Sequence, residues 1–223
     1  MDSMELIRLH LALECKGIDA RGQLVRIPCA DPDTLHRVYL ARHDQGDTFF
    51  FRADLPEGIR RKLLRFSAAD FFEAPDRIRA VLEEDGPCEE IHLGKSYIFP
   101  ESLHPSQFPD ALRLAEVDPA LVRQYDPEMD VSRKEVFGVL VDGKIVSTCE
   151  SSREDERAGE AWVRTLAGYR RRGYARQATA AWGHWLISHG KTPFYSHRWE
   201  NFASQALAQS LGLIQYLADA GYA

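Results

Sequence analysis

The run Val163-Arg-Thr-Leu-Ala-Gly-Tyr-Arg-Arg-Arg-Gly-Tyr-Ala175 organises the rest of the chain. Val163, Thr165 and Leu166 make a short β-branched and apolar stretch that reads as a strand, Ala167-Gly168 reads as a turn, and Arg170, Arg171, Arg172 and Gly173 form a basic loop. From Tyr174 onward, Tyr174, Ala178, Trp182, Trp185 and His189 recur at helical spacing, so the loop opens a helix. The first turn of a helix carries unpaired N–H groups and the positive end of the macrodipole. Three arginines and a glycine, which lets the main chain approach a ligand closely, make that place suited to an anion.

A second pattern follows, from Asn201 through Ser204 and Leu207 to Leu211-Gly212-Leu213. Arg170-x-x-Gly173-x-Ala175 resembles the Arg/Gln-x-x-Gly-x-Gly/Ala signature of the GNAT superfamily, the acyl-CoA-dependent N-acyltransferases. The second pattern is similar to that family's Asn-x-x-Ser and Leu-Gly-Phe helix, with Leu213 where phenylalanine is usual. The resemblance covers about residues 110–217. It implies an α+β fold, a GNAT-like twisted mixed β-sheet flanked by helices. It implies acetyl-CoA as co-substrate, its pyrophosphate held at Arg170, Arg171, Arg172, Gly173, Tyr174 and Ala175. The pantetheine arm is expected along the strand of Val163, Thr165 and Leu166, with Asn201 and Ser204 contributing from the last helix. The implied activity is transfer of an acetyl group to a primary amine of a small molecule or peptide. The alternative is a non-catalytic acyl-CoA-binding module with a protein partner.

Composition narrows the class. Acidic residues outnumber basic ones, 34 to 28, for a net charge of −6, which suits a nucleic-acid binder poorly and makes the basic loop a local feature. No run of about 18 apolar residues predicts a membrane span, and the acidic start Met1-Asp2-Ser3-Met4-Glu5 lacks a signal-peptide pattern, so the expected location is cytoplasmic. Cys15, Cys29, Cys88 and Cys149 stand singly and are expected as reduced structural thiols. Neither they nor the dispersed histidines, among them His184, His189 and His197, have metal-ligand spacing, and no metal is expected.

Residues 1–105 read as a mixed α/β region of unknown role, and 106–223 as the acyltransferase domain. The period of Leu6, Leu9, Leu11 and Leu13 predicts a helix over 4–15. Strands over 36–42 and 48–52 are predicted to pair across Asp44-Gln45-Gly46. Pro56 and Pro75 each begin a predicted helix, the first burying Ile59, Leu63 and Leu64. Residues 90–99 suggest a hairpin turning at Gly94. Prolines at 100, 105 and 109 mark a connector. Beyond it come a strand over 111–116, a helix over 119–125 and a hairpin over 136–149 turning at Asp142-Gly143. The remaining elements are a strand over 160–166, the helix 174–188, a strand over 192–196, and a helix over 201–211 closed by Gly212. After Gly212 a single strand, 213–217, is expected, leaving a sheet edge for the N-terminal region or a second subunit, a homodimer, to cover.

Acyl transfer to an amine needs a base, because an alkyl amine with a pKa near ~10 is mostly charged at neutral pH. Glu150, ending the third strand of the domain, and Glu160, opening the fourth, are the candidate carboxylates. The resemblance also implies a tyrosine that protonates the departing thiolate, but its position is Ala208. Ser204, Tyr195, Tyr216 or water is left to serve.

Overall fold

A computed structural model of the protein describes residues 1–28, 34–103, 108–132 and 134–223. Cys29, the middle of the proline connector (His104 to Gln107) and the expected boundary at 105–106 lie outside these residues. The chain forms two compact units. One comprises Met1–Ser96, His197–Asn201 and Gln215–Ala223, and the other Tyr97–Ser196 and Phe202–Ile214.

The first unit opens with α1 (Ser3–Leu13). A reciprocal cap starts it: Asp2 Oδ1 accepts the Glu5 N–H at 2.8 Å and Glu5 Oε2 accepts the Asp2 N–H at 2.9 Å, satisfying two N–H groups that the first turn leaves unpaired. A small hairpin follows, β1 (Lys16–Ile18) against β2 (Leu24–Arg26), which the sequence reading did not foresee. Next come β3 (Val38–His43) and β4 (Gly46–Phe51), paired antiparallel across a tight turn. Then α2 (Glu57–Leu63), α3 (Asp70–Glu73) and α4 (Pro75–Leu82) supply Ile59, Leu63, Phe71, Phe72, Ile78 and Leu82 to one apolar cluster with Val38 and Leu40. Leu64, expected inward, is exposed, because it lies off the face that Ile59 and Leu63 share one helical turn apart.

The expected hairpin at Gly94 is instead one uninterrupted strand, β5 (Ile91–Ile98). Its glycine serves close packing rather than a turn. A Cβ at Gly94 would lie 2.5 Å from His92 Nε2 and 3.0 Å from Asp219 Oδ1. The last strand, β11 (Ile214–Tyr222), is longer than expected and runs antiparallel to β3, Ala218 facing Arg42 and Tyr222 facing Val38. The N-terminal region therefore supplies β11 with a neighbour. Tyr222 packs edge-on against Phe71 and donates its hydroxyl to the Phe71 carbonyl. Cys15 is in a disulfide, contrary to the expectation of a reduced thiol, while Cys88 and Cys149 are free and buried. Disulfide pairing is set by spatial approach, which single spacings along a chain do not reveal.

The second unit holds β6 (Ala111–Arg113), α5 (Pro119–Tyr125), β7 (Phe137–Val141), β8 (Lys144–Glu154), β9 (Ala158–Thr165), α6 (Tyr174–Ser188), β10 (Thr192–Arg198, ending in the first unit) and α7 (Phe202–Ser210). Its strand order is β10-β9-β8-β7-β6. Every pairing is antiparallel except β9 with β10, which is parallel, so the sheet is mixed and flanked by helices. The turn joining β7 to β8 has Asp142 and Gly143 both at positive φ, 50° and 72°, the conformation that Asp-Gly hairpins favour. The helix α6 lies on one face of β8 and β9 and buries Ala178, Trp182 and Leu186 against Phe137, Val146 and Cys149. Gly183 admits Phe99: a Cβ there would sit 2.4 Å from the ring, and Phe99 packs edge-on to Trp182.

Candidate active site

The basic loop lies where β9 hands over to α6. After Thr165 the chain makes a short 3-10 turn over Ala167–Tyr169. Arg171 then adopts φ 59° and Gly173 φ 85°. Left-handed conformations on either side of Arg172 turn successive main-chain N–H groups toward one side, a concavity suited to an anion. For arginine that conformation is strained and needs the surrounding structure to impose it. Gly173 is the N-cap of α6 and has no capping side chain, so the first-turn N–H groups of the helix are left open to a ligand. A Cβ at Gly173 would meet nothing within 4 Å. Ala167, Gly168, Arg170, Arg171 and Arg172 line an open depression of about 690 Å3. Arg170 Nε donates to the Thr165 carbonyl at 3.3 Å, and the Arg172 guanidinium lies 5.8 Å from the centre of the Tyr169 ring. Tyr174 and Ala175 form the first turn of α6 and are half-buried.

A gap opens beside the loop within the sheet. The parallel ladder between β9 and β10 pairs Ala158 with Thr192, Gly159 with Pro193 and Glu160 with Phe194. Past Glu160, β9 runs on to Thr165 and β10, within this unit, to Ser196, and among the described residues no further pair joins them. On its other edge β9 stays paired with β8 up to Thr165 opposite Ser147, and the Leu166 N–H donates to the Val146 carbonyl at 2.9 Å. Main-chain direction alternates along a strand. With Leu166 facing β8, the main-chain groups of Val163 and Thr165 face the gap. Of the three strand residues expected to meet a pantetheine arm, Val163 faces the gap, Thr165 faces it with its carbonyl already accepting from Arg170, and the Leu166 amide is engaged with Val146.

The two carboxylates share the face of β8 and β9 opposite α6. Glu160 is buried at the point where β9 and β10 part. Ser196 on β10 donates to its Oε1, and Arg153 Nη1 lies 3.3 Å from its Oε2. Arg153 reaches it because a register shift in β8 between Ser151 and Arg153 re-aims the side chain. Glu150 stands directly opposite Trp162 on β9. Burial pushes its carboxyl above the usual carboxylate range; the charge of Asp126 adds to this, while Lys134, 3.8 Å away, opposes it. On the same face Tyr125 contacts the Thr148 hydroxyl at 3.1 Å, and Arg164 pairs with Asp126 at 2.9 Å.

Ala208 is fully buried in the core beside Leu211, so no hydroxyl enters the site from that position. One turn earlier on α7, Ser204 shares a hydrogen bond with Tyr195, whose phenol burial pushes up to about 12. Tyr216 and Asn201 belong to the first unit. There the Tyr216 hydroxyl meets His10 Nδ1 at 2.6 Å, and the Asn201 N–H donates to the Arg198 carbonyl at 2.9 Å. The sequence reading missed Trp162, Tyr125, Arg153 and Ser196. Trp162 is 45% exposed on this face.

Residues 120–217 match the family model of the GNAT acetyltransferases. No curated protein matches the sequence. Among solved structures, a chain described as a GNAT-family acetyltransferase from Novosphingobium aromaticivorans is 18% identical with a TM-score of 0.47 over 60% of this chain; the match spans 65% of that one. A GCN5-related N-acetyltransferase-like protein from Streptococcus suis is 16% identical with a TM-score of 0.46, covering 84% of each chain. A GNAT-family acetyltransferase from Colwellia psychrerythraea is 12% identical with a TM-score of 0.49, covering 98% of this chain and 94% of its own. The basic loop and the Asn201-to-Leu213 pattern both lie inside the span, residues 120–217, that is similar to the GNAT acetyltransferases.

Proposed function

We propose that the chain is an N-acetyltransferase that moves the acetyl group of acetyl-CoA to a primary amine of a small molecule or peptide, with its chemistry in residues 106–223. The observation that carries this reading is the loop before α6, where Arg171 and Gly173 both hold positive φ and open space stands over Gly173. Such a preformed concavity of N–H groups at a helix start fits a pyrophosphate. Among the described residues no carboxylate pairs with Arg170, Arg171 or Arg172, so their charge is available to it. Acetyl-CoA supplies the activated acyl group. The main-chain groups of Val163 and the N–H of Thr165, which face the gap, are suited to receive the arm, and the N–H donors to polarise the acyl carbonyl.

The amine nitrogen then attacks the carbonyl carbon, and the C–N bond forms as the C–S bond breaks. Glu150, directly or through one water, takes the proton that the nitrogen must lose. Of the two carboxylates Glu150 is the better base: its surroundings raise its proton affinity, whereas both oxygens of Glu160 are engaged by Ser196 and Arg153. Glu160 holds the fork of the two strands. With Ala208 in the core, water protonates the departing sulfur. That step is undemanding, because a thiol pKa near ~8.5 lies close to neutrality.

The second reading, a binding module that holds acyl-CoA without turnover, is favoured by the same buried Ala208. Calorimetry separates the outcomes. CoA should bind and raise the melting temperature by mass action. The absence of both heat and shift at millimolar CoA would end either reading, and binding without thiol release on any amine would favour the module.

A further inference from the structure

Trp162 is a large aromatic residue that keeps 45% of its surface in water although it lies within a strand of the sheet. Its exposed indole presents a π face at the surface of the sheet, available to a partner. Its neighbours are fixed by register. Glu150 stands directly across on β8, Glu160 and Arg164 flank it along its own face, and the gap between β9 and β10 begins on its other side. The cations of this strip are held by carboxylates: Arg164 by Asp126 at 2.9 Å and Arg153 by Glu160 at 3.3 Å. Among the described residues the cation paired with Glu150 is Lys134, at 3.8 Å and more than half exposed. An aromatic face beside a loosely paired carboxylate is the chemistry that recognises an organic cation.

We infer that Trp162 is the specificity-determining residue for the acceptor, seating the alkyl chain and ammonium group of a protonated aliphatic amine on its indole with the charge directed at Glu150. This rests on the acyltransferase reading and narrows it. The acceptor arrives as a cation, gives up its proton at Glu150, and reacts across the gap beside Val163. Neutral alcohols of the same shape and weakly basic aryl amines, which are uncharged at neutral pH, lack the charge that the site reads.

The test is a ligand-observed NMR titration with n-hexylamine, which is protonated at neutral pH, and with hexan-1-ol as the neutral match. CoA is added first, and its own binding is recorded. The full-length protein should bind hexylammonium in preference to the alcohol. Trp162→Ala should weaken hexylammonium roughly three- to thirtyfold while leaving CoA affinity within twofold, and Trp162→Phe should recover part of the loss. Because the indole is on the surface, both variants are expected to fold, and their melting curves check this. No preference for the cation, or equal binding by Trp162→Ala, would overturn the inference while leaving the acyltransferase reading in place. Failure of CoA to bind would overturn that reading instead, and the hexylammonium comparison on the free protein would still decide the role of Trp162.

Discussion

Replacing Gly173 with valine separates the ligand-holding role of the loop from its backbone geometry. Gly173 sits at φ 85°, and a Cβ there would meet nothing within 4 Å. The fold therefore suffers only the left-handed conformation, about 1–2 kcal/mol for an L-residue. In a chain of this size that lowers Tm by about 2–4 °C for each kcal/mol. The isopropyl group would instead stand in the open space that the pyrophosphate is to occupy. If it displaces two charge-assisted N–H bonds of about 1.5–3 kcal/mol each, CoA affinity falls more than about a hundredfold. The control is built into the same helix. Gly190, just past the C-terminal end of α6, has φ 73° and equally open surroundings, so Gly190→Val carries the same conformational cost at a place with no proposed ligand. Calorimetry of CoA binding, with melting curves of both variants, makes the comparison. Similar losses of Tm should accompany loss of CoA binding in Gly173→Val alone. If Gly173→Val binds CoA like the unaltered protein, or if Gly190→Val loses as much affinity, the loop is a charged helix cap and the reasoning fails.

Glu150→Gln should lower turnover about 10²- to 10⁴-fold, well beyond Ser204→Ala or Tyr195→Phe, with the deficit shrinking as rising pH deprotonates the amine unaided. The same change should stabilise the fold. Burial raises the Glu150 pKa above its unfolded value, so ionisation opposes folding: the penalty is absent below the unfolded pKa of about 4.3, grows as pH rises from there to the folded pKa, and is constant above it. Melting curves should therefore show Glu150→Gln more stable at pH 7 and unchanged near about pH 3.5; a Tm loss at pH 7 would contradict this. Gly183→Ala should destabilise despite a helix-propensity gain of about 1 kcal/mol, because its methyl would lie 2.4 Å from the Phe99 ring and overpacking costs about 1–3 kcal/mol. Denaturant titration checks it, and Phe99→Leu in the same chain should return part of the loss.

The parts of the fold legible in the sequence were those written in local chemistry. Asp142-Gly143 marked a hairpin, the stripe through Ala178 and Trp182 marked α6 over the residues it occupies, and Gly212 at φ 65° closes α7. The helix over 119–125 likewise matches α5. Residues governed by distant contacts were illegible. Gly94 looked like a turn because the chain does not reveal that His92 and Asp219 crowd it. The β1–β2 hairpin has strands too short to show a period. Nor could β11 be extended to Tyr222, since its partner β3 lies far upstream. That the basic loop opens a helix was legible from spacing, and α6 does begin at Tyr174. Trp162 and Arg153 meet Glu150 and Glu160 only through cross-strand register and a bulge, which sequence periodicity does not encode.

The most direct measurement of the central claim is release of free thiol from acetyl-CoA with the purified full-length protein, across a panel of primary amines. Amine-dependent release should saturate in acetyl-CoA, fall deeply in Glu150→Gln and be absent in Gly173→Val. CoA binding with no amine-dependent release from any member of the panel would contradict it.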